Sequence, residues 1–277
     1  MQKLIMPSGE AVPMLGMGTW CMGEQPAARL EEIATLQAGL DAGLRLIDTA
    51  EMYGEGLAET LIGEALVGRR DQAFLVSKVY PQNASPAAMA KACERSLKRL
   101  RTDRLDMYLL HWRGSVPLES VLEGLLALQH QGKIRYFGVS NLDTADMQSW
   151  CALPGGQAVA TNQILDNLTR RAIELDLLPF CRAHRVSVMA YSPLEQAALL
   201  TDRTLVAFAN RHAMTPAHAA LGWLLAQPDV YVIPKTSRRE RLQDNLKALE
   251  RPLTLSQVAE LAALFPAPAT PQPLAML

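Results

Sequence analysis

Short apolar runs alternate with longer stretches of helical periodicity along almost the whole chain. Short runs rich in Val, Ile and Leu are typical of buried strands, whereas apolar residues that recur on one helix face are typical of amphipathic helices. Residues 27–43, for example, carry Leu30, Ile33, Leu36 and Leu40 at helical spacing. Strands are predicted at residues 16–20, 44–47, 73–78, 105–111, 134–140, 158–163, 186–191 and 230–233. Helices are predicted at residues 27–43, 55–67, 86–100, 117–131, 144–151, 173–184, 204–212, 216–226, 239–248 and 255–264.

This alternation predicts an α/β fold. Strand–helix units repeated through a chain of 277 residues favour a closed (β/α)8 TIM barrel over an open doubly wound sheet. Residues 3–6 and 12–15 flank the turn-forming Pro7-Ser8-Gly9, which predicts an N-terminal β-hairpin before the barrel. Extra C-terminal helices follow, and the proline-rich residues 266–273 are predicted to be extended. Because no boundary divides the chain, residues 1–277 are predicted to form a single barrel domain.

Composition and charge exclude several classes of partner. The chain is 49% hydrophobic and 20% charged, and its formal net charge of −1 gives no long-range attraction to nucleic acid or anionic lipid. No run approaches the roughly 18 apolar residues that a membrane helix needs, and the start lacks the apolar core of a signal peptide. We therefore expect a cytoplasmic protein that binds neither nucleic acid nor membrane. The cysteines are scattered, and the histidines outside the strand ends have no ligand-like spacing, so we expect reduced thiols and no metal site.

Ionisable side chains follow three consecutive predicted strands. Asp48 comes after the run 44–47, Lys78 ends the run 73–78, and His111 ends the run 105–111, while Tyr53 follows Asp48 closely. The carboxyl ends of barrel strands lie on one face, where the active sites of such barrels are found. Taken singly, each group has an ordinary explanation as a turn cap, a surface lysine or a half-buried aromatic. Their combination favours a catalytic site.

These four groups suit the acid-assisted reduction of a carbonyl compound. A tyrosine with a pKa of about 10 is a poor acid unless a cation favours the phenolate that it leaves behind, and Lys78 can be that cation. Asp48 can balance a lysine held out of water, and His111 can act as a neutral donor that orients a carbonyl oxygen. Because none of these groups can deliver hydride, the site indicates a nicotinamide cofactor.

The cofactor site is predicted after the last strand. Gly16-Met-Gly18 lacks the third glycine and the acidic partner of a Rossmann fingerprint. Lys235, Arg238, Arg239 and Arg241 surround a predicted helix N-terminus instead, where free N–H groups and the helix dipole favour a phosphate. Several cations suit a 2′-phosphate, so NADPH is favoured over NADH.

The chain resembles the aldo-keto reductase family over essentially its whole length. The matching motifs are GTW from Gly18, DTAEMYG from Asp48, SK at Lys78, LLHW ending at Trp112, GKIRYFGVSN from Gly132, TNQ ending at Gln163, AYSPL from Ala190 and IPKTS from Ile233. The resemblance implies that Asp48, Tyr53, Lys78 and His111 form a catalytic tetrad with Tyr53 as the general acid. We call these four residues the tetrad.

The same resemblance implies the remaining site residues. Ser140, Asn141 and Gln163 would hold the nicotinamide carboxamide, and Tyr191 would stack on the ring. The other residues implied to contact the cofactor are Thr19, Trp20 and Asp48, then Ser192 and Leu194 at the pyrophosphate, Lys235, Thr236, Ser237 and Arg241 at the 2′-phosphate, and Asp244 and Asn245 at the adenine. Trp20 and Trp112 would line the substrate pocket.

Two departures from the family pattern bear on the substrate. Many relatives continue the motif NQ as NQVEYHP, whereas residues 162–167 read NQILDN here. The connections that enclose bulky substrates also look short, at residues 113–117, after Leu194 and in the tail, which predicts an open pocket. The stretches from Asp48 and Asn141 resemble bacterial members that act on methylglyoxal, so small aldehydes and ketones are the expected substrates.

Two other functions remain open at this point. The chain could be a cofactor-binding regulatory or redox-sensing barrel with negligible turnover, or an isomerase or aldolase in which Lys78 forms a Schiff base. A monomer or weak oligomer is expected.

Overall fold

A computed structural model describes residues 3–6 and 8–277, so Pro7 of the predicted hairpin turn lies outside the described residues. Within these residues, eight parallel strands form a sheet in which each strand pairs with its neighbours in the chain. The sheet confirms the predicted (β/α)8 TIM barrel. Its strands are β3 (Met17–Gly18), β4 (Leu46–Asp48), β5 (Phe74–Val79), β6 (Leu105–Leu110), β7 (Ile134–Ser140), β8 (Thr161–Leu165), β9 (Ser187–Tyr191) and β10 (Val230–Val232), and they follow the hairpin strands β1 (Lys3–Ile5) and β2 (Ala11–Pro13).

The barrel closes where the first and last of these strands meet. Parallel bridges join Leu15 to Val232 and Gly18 to Lys235. The Gly18 N–H donates a hydrogen bond to the Pro234 carbonyl at 3.1 Å. A Cβ on Gly18 would lie 2.7 Å from a backbone oxygen of the last strand's extension, so this close approach requires glycine. Closure brings residues from both ends of the chain to one rim.

The β1–β2 hairpin covers the amino ends of the barrel strands. The two strands are antiparallel, and buried Leu4 lies opposite buried Val12, with both side chains in the main core. Glu10 beyond the turn forms an ion pair with Arg135 at 2.5 Å, and Arg135 also binds Asp106 at 2.9 Å. The hairpin is thus held to the face opposite the strand ends that carry the predicted site.

Helices pack around the outside of the barrel. They are α1 (Arg29–Asp41), α2 (Leu57–Ala65), α3 (Pro86–Leu100), α4 (Leu118–His130), α5 (Thr144–Ala152), α6 (Leu177–Ala183), α7 (Arg203–Arg211), α8 (Pro216–Leu225), α9 (Arg239–Glu250) and α10 (Leu255–Leu264). The two helices between β9 and β10, and α10 after α9, are the predicted extra C-terminal helices. Among the described residues, no helix is long and apolar enough to span a bilayer.

Several predicted boundaries were wrong for local reasons. The strand predicted at 158–163 begins at Thr161, because Gly156–Ala158 forms a 3₁₀ turn. The helix predicted at 173–184 begins at Leu177, because the Asp176 carboxylate accepts a hydrogen bond from the Leu177 N–H and starts the helix there. Leu30, counted in the apolar face of the first helix, is 81% exposed. These differences leave the strand ends near the site in place.

Candidate active site

A cavity of about 960 Å³ opens at the carboxyl ends of the barrel strands. Asp48 ends β4, His111 follows β6, and Gln163 lies in β8, so the cavity wall is built from the rim that strand alternation predicts. The cavity runs from Tyr53 and His111 to Lys235 and Arg241 beside α9. One continuous space therefore joins the predicted catalytic groups to the predicted phosphate site.

Lys78 lies behind the cavity wall with every ammonium donor used. Its side chain is fully buried. The Nζ donates to Asp48 Oδ2 at 2.8 Å, to the Thr49 carbonyl at 2.8 Å and to the Tyr53 hydroxyl at 3.1 Å. The Nζ also lies 4.7 Å from the centre of the Tyr53 ring. The ammonium is thus directed at the phenol oxygen and is shielded from solvent.

The charges of this group follow from burial and pairing. Burial acts to lower the pKa of Lys78, but attraction to Asp48 and Tyr53 outweighs it, so its pKa is raised and the side chain keeps its charge. Burial raises the pKa of Asp48, and Lys78 and Gln163 partly offset that rise. Burial also raises the pKa of Tyr53 more than the Lys78 charge lowers it. Tyr53 is therefore a protonated phenol at neutral pH, beside a cation that would stabilise the phenolate.

His111 is a neutral imidazole that packs against the ring of Tyr53. Burial, with a smaller effect from the positive charge on Lys78, lowers the pKa of His111 to about 2. The Tyr53 and His111 rings meet edge to face, with centroids 5.9 Å apart. Within the described part of the chain, buried His111 Nδ1 has no hydrogen-bond partner. A neutral imidazole can donate one hydrogen bond through its single N–H, and it lacks the acidic proton of an imidazolium that would compete with Tyr53 as the acid.

A chain of hydrogen bonds links the predicted carboxamide residues to the tetrad. The Tyr191 hydroxyl donates to Asn141 Oδ1 at 3.0 Å, and Asn141 Nδ2 donates to Ser140 Oγ at 3.1 Å. The Ser140 hydroxyl donates to the Gln163 carbonyl at 2.9 Å, and Gln163 Nε2 donates to Asp48 Oδ1 at 2.7 Å. The Gln163 amide nitrogen is therefore occupied by Asp48. Its side-chain oxygen is the atom left to bind a ligand.

The far end of the cavity is cationic and suits a phosphate. Lys235 and Arg241 line it and are solvent-exposed, and Thr236 lies between them on the wall. Arg238 precedes the first turn of α9, whose free N–H groups add to the positive potential. Asp244 and Asn245 follow on the same helix, and the Thr215 hydroxyl donates to Asp244 Oδ2 at 2.9 Å. Neutral amides at one end and cations at the other fit a dinucleotide with a 2′-phosphate.

Residues 192–197, which we call the cofactor loop, connect the two ends of the cavity. Ser192, Glu195, Gln196 and Ala197 all have positive φ angles, which are unfavourable for residues other than glycine. Ser192 and Leu194, predicted at the pyrophosphate, lie on the cavity wall.

Asn167, in the unusual stretch after Gln163, and Arg170, which lies beyond that stretch, hold this loop. Asn167 Nδ2 donates to the Ser192 carbonyl at 3.0 Å and to Glu195 Oε2 at 2.7 Å. Arg170 binds Glu195 Oε1 through two nitrogens, at 2.9 and 2.6 Å. The departure from the family motif thus supplies, through Asn167, part of the contacts that fix the cofactor loop.

Most predicted site residues lie on one wall; among the described residues, Lys78 and Ser237 do not, nor do Arg238 and Arg239 of the predicted phosphate site. Lys78 lies behind the wall. Ser237 also lies off the cavity, because its carbonyl turns to α1 and accepts a hydrogen bond from the Thr35 hydroxyl at 3.2 Å. The predicted residues on the wall are Thr19, Trp20, Asp48, Tyr53, His111, Trp112, Ser140, Asn141, Gln163, Tyr191, Ser192, Leu194, Lys235, Thr236, Arg241, Asp244 and Asn245.

The sequence analysis missed other lining residues. They are Gly18, Cys21, Met52, Pro193, Gln196, Ala197, Leu200, Thr215, Pro216, Ala217, Ile233, Pro234, Met276 and Leu277. Residues within or next to a matched motif, such as Met52 and Cys21, could have been found by proximity. Met276 and Leu277 had no local signal, since only the path of the tail brings them to the rim. In the described part of the chain, no cluster of three or more His, Cys, Asp or Glu side chains could hold a metal ion.

Comparisons with known proteins agree with this geometry. The model of the Aldo/keto reductase family matches residues 14–265. The methylglyoxal reductase YeaE of Escherichia coli (strain K12) is 48% identical over 273 residues, which cover 96% of this chain and 96% of that protein. The methylglyoxal reductase DkgB of Salmonella typhi is 29% identical over 259 residues, which cover 91% of this chain and 93% of that protein.

Solved structures give the same result. The crystal structure of an aldo/keto reductase from Klebsiella pneumoniae in complex with NADP and acetate matches with a TM-score of 0.96 and 47% sequence identity. The match covers 99% of this chain and 99% of that chain.

Proposed function

The chain belongs to the aldo/keto reductase family, and we propose that it is an NADPH-dependent oxidoreductase that reduces small aldehydes and ketones, such as methylglyoxal, to alcohols. The observation that carries this proposal is the contact between the buried Lys78 ammonium and the Tyr53 hydroxyl at 3.1 Å, at one end of a cavity whose other end is cationic. The proposal takes residues 1–277 as one domain.

The cavity supplies a binding site for each part of the cofactor. Ser140, Asn141 and the free side-chain oxygen of Gln163 would hold the carboxamide, and Tyr191 would pack on the nicotinamide. The cofactor loop would hold the pyrophosphate, and Lys235 and Arg241 would hold the 2′-phosphate. When bound, NADPH supplies the hydride that reduces the carbonyl carbon.

The tetrad supplies the proton. Tyr53 donates its hydroxyl proton to the carbonyl oxygen, so that a new O–H bond forms as the phenol O–H bond breaks. Lys78 stabilises the resulting phenolate, Asp48 keeps Lys78 charged, and the neutral His111 donates a hydrogen bond that orients the carbonyl oxygen. Acid assistance of this kind contributes about 10²–10⁴ in rate. Tyr53 regains its proton from water after the alcohol leaves.

The lining near Tyr53 favours small, uncharged substrates. Trp20, Met52, Trp112 and Met276 give this end an apolar surface, and the lining cations lie at the other end of the cavity. The name of the relative YeaE, a methylglyoxal reductase, supports the same substrate class.

The burial of Lys78 disfavours the alternative Schiff-base chemistry. Its Nζ is fully enclosed and donates to three oxygens, so a substrate carbonyl could reach it only after those contacts broke.

Steady-state loss of nicotinamide absorbance tests the proposal, with NADPH or NADH and a panel containing methylglyoxal, an aromatic aldehyde, a sugar aldehyde and a steroid ketone. We expect NADPH-dependent turnover that is fastest with the small aldehydes. Tyr53→Phe should lower kcat by about 10²–10⁴ while NADPH binding, followed by fluorescence, stays unchanged. NADPH binding without reduction of any carbonyl would favour the regulatory function instead.

A further inference from the structure

Glu51 is a buried carboxylate two residues before Tyr53 that does not line the cavity. Its Oε1 accepts hydrogen bonds from the Tyr80 backbone N–H at 2.9 Å and from Asn83 Nδ2 at 3.0 Å. Its Oε2 lies 3.4 Å from Arg95, whose side chain is half exposed. The carboxylate therefore binds the segment that directly follows Lys78.

These contacts join chain segments that the sheet itself holds weakly at this point. Strand β4 ends at Asp48, and the backbone ladder to β5 continues with Thr49 N–H to the Val76 carbonyl at 2.9 Å. The next bond, from Glu51 N–H to the Lys78 carbonyl, has lengthened to 3.4 Å. The Tyr53 N–H bonds only within its own turn, to the Ala50 carbonyl at 3.1 Å. Beyond Asp48, where the backbone hydrogen bonds to the β5 segment weaken, hydrogen bonds to the Glu51 side chain hold the two segments together.

The segment that Glu51 binds also contacts the third part of the site. The Tyr80 ring meets the Trp112 ring edge to face, with centroids 5.8 Å apart, and lies 6.5 Å from the His111 ring. The His111 and Trp112 rings are themselves 4.8 Å apart. Glu51 thus lies where the segments that carry Tyr53, Lys78 and His111 meet.

We propose that Glu51 is a positioning residue of the reductase, which sets the distance between the Tyr53 hydroxyl and the Lys78 ammonium and the placement of His111 beside them. The inference rests on the proposed function. Proton donation depends steeply on geometry, and a misplacement of about 1 Å can lower a rate by about 10²-fold. Glu51 does not line the cavity, so its loss should affect the chemical step and leave cofactor binding intact.

Three variants test this role. Glu51→Ala removes the acceptor, Glu51→Gln keeps an acceptor oxygen without the charge, and Asn83→Ala removes one of the two bonds to Oε1. Glu64→Ala is the control. Glu64 is also a glutamate paired with an arginine, Arg29, at 2.8 Å, and this pair lies outside the cavity wall. For each variant, kcat, the NADPH dissociation constant, the pH profile of kcat and the isotope effect with NADPH deuterated at the transferred hydrogen are measured.

We expect Glu51→Ala to lower kcat by about 10²-fold with an unchanged NADPH dissociation constant. The isotope effect on kcat should rise, because the chemical step becomes slower relative to cofactor release. The limb of the pH profile of kcat that is due to Tyr53 should shift. Glu51→Gln should recover most of kcat. Asn83→Ala should lower kcat less than Glu51→Ala does, again with an unchanged NADPH dissociation constant. These two variants keep the test decisive if Glu51→Ala does not fold.

One result would contradict the positioning role of Glu51, and another would contradict the proposed function. If the wild-type chain reduces carbonyls but Glu51→Ala and Asn83→Ala match Glu64→Ala in kcat, pH profile and isotope effect, Glu51 has no positioning role. If the wild-type chain reduces no carbonyl, the proposed function itself is wrong.

Discussion

A side-chain hydrogen bond from Gln163 to Asp48 joins the residues proposed to hold the nicotinamide to those proposed to supply the proton. Gln163 lies in β8 and Asp48 ends β4, so the bond crosses the barrel interior. Because the amide nitrogen is occupied, the side-chain oxygen faces a ligand in a fixed orientation. The Asp48 carboxylate therefore positions both Gln163, which would bind the cofactor, and Lys78, which contacts the Tyr53 hydroxyl.

Arg241 should determine the preference for NADPH. It lies on the cavity wall in the first turn of α9, and a charge-assisted hydrogen bond to a phosphate contributes about 1.5–3 kcal/mol. We expect Arg241→Ala to weaken NADPH binding by about 10-fold or more and to leave NADH binding nearly unchanged. Fluorescence titration with both cofactors measures the two dissociation constants.

Arg239→Ala is the matched control, because Arg239 carries the same charge on the same helix turn but does not line the cavity. A general electrostatic effect would weaken NADPH equally in both variants, and equal losses for NADPH and NADH in Arg241→Ala would contradict its proposed role.

The sequence predicted individual residues well where their position follows from a strand. Asp48, Lys78 and His111 lie at or beside the ends of parallel strands, so one rule of topology placed all three. Residues whose position depends on a loop path could not be placed in this way, and Met276 is the clearest case. Ser237 does not line the cavity, because its backbone carbonyl bonds to Thr35, and no sequence pattern shows that contact.

At the scale of elements, the cofactor loop is held in an unfavourable conformation by its neighbours. Positive φ angles at residues such as Gln196 cost free energy unless surrounding contacts fix them. Asn167 and Arg170, both bound to Glu195, supply such contacts. Burial acts to raise the pKa of Glu195, but the hydrogen bonds from Arg170 and Asn167 outweigh it and lower the pKa. The carboxylate therefore stays ionised at neutral pH.

Loss of Glu195 should loosen the cofactor loop. We expect Glu195→Ala to speed NADPH dissociation by about 10-fold or more, because a loop ordered only on binding costs affinity. The isotope effect on kcat should stay at the wild-type value or rise, since faster cofactor release makes hydride transfer more rate-limiting. Stopped-flow fluorescence measures the dissociation rate.

Glu174→Ala is the matched control for this variant. Glu174 pairs with Arg171 at 2.7 Å in the connection between β8 and α6, which also carries Asn167 and Arg170, but makes no bond to the cofactor loop. Equal dissociation rates in the two variants would show that Glu195 does not restrain the loop.

The elements themselves were largely predictable, and their ends were less so. The helix predicted at 255–264 has those bounds in the structure, and it carries a capping box between Thr254 and Gln257. The helix after β8 was predicted too long because apolar spacing continues through a 3₁₀ turn at Ala172–Glu174. Periodicity locates an apolar face but does not show where the backbone hydrogen bonds change partner.

At the scale of the whole molecule, one buried acid should reduce stability at neutral pH. Asp166 follows β8, is fully buried, and neither carboxyl oxygen has a hydrogen-bond partner among the described residues. Burial, with a smaller contribution from Glu174, raises the pKa of Asp166 well above 3.8. The folded chain therefore keeps a proton that the unfolded chain releases, so this group lowers stability as the pH rises from about 3.8 through the folded-state pKa.

Asp166→Asn should remove this pH dependence, since an amide has the shape of the protonated acid and does not ionise. We expect the variant to match the wild-type chain in free energy of unfolding at pH 4 and to exceed it at pH 8, as measured by urea titration. Asp71→Asn, at an exposed site, is the control and should leave the pH dependence unchanged. A wild-type chain that gains stability over Asp166→Asn between these pH values would contradict the assignment.

The closed barrel was predictable from alternation alone, because strand–helix units of this number and length have few other arrangements. The closing contacts were not predictable in detail. They depend on irregular bridges at Leu15 and Gly18, where a glycine lets two backbones approach closely.

The closing contact has a consequence for the chain as it leaves the ribosome. Leu15 and Gly18 are made long before their partners Val232 and Lys235. A nascent chain that stops before β10 has an open edge on its first barrel strand and lacks the cations proposed to hold the 2′-phosphate. Closure of the barrel and formation of the proposed phosphate site should therefore occur together, once the segment from β10 to the first turn of α9 is available.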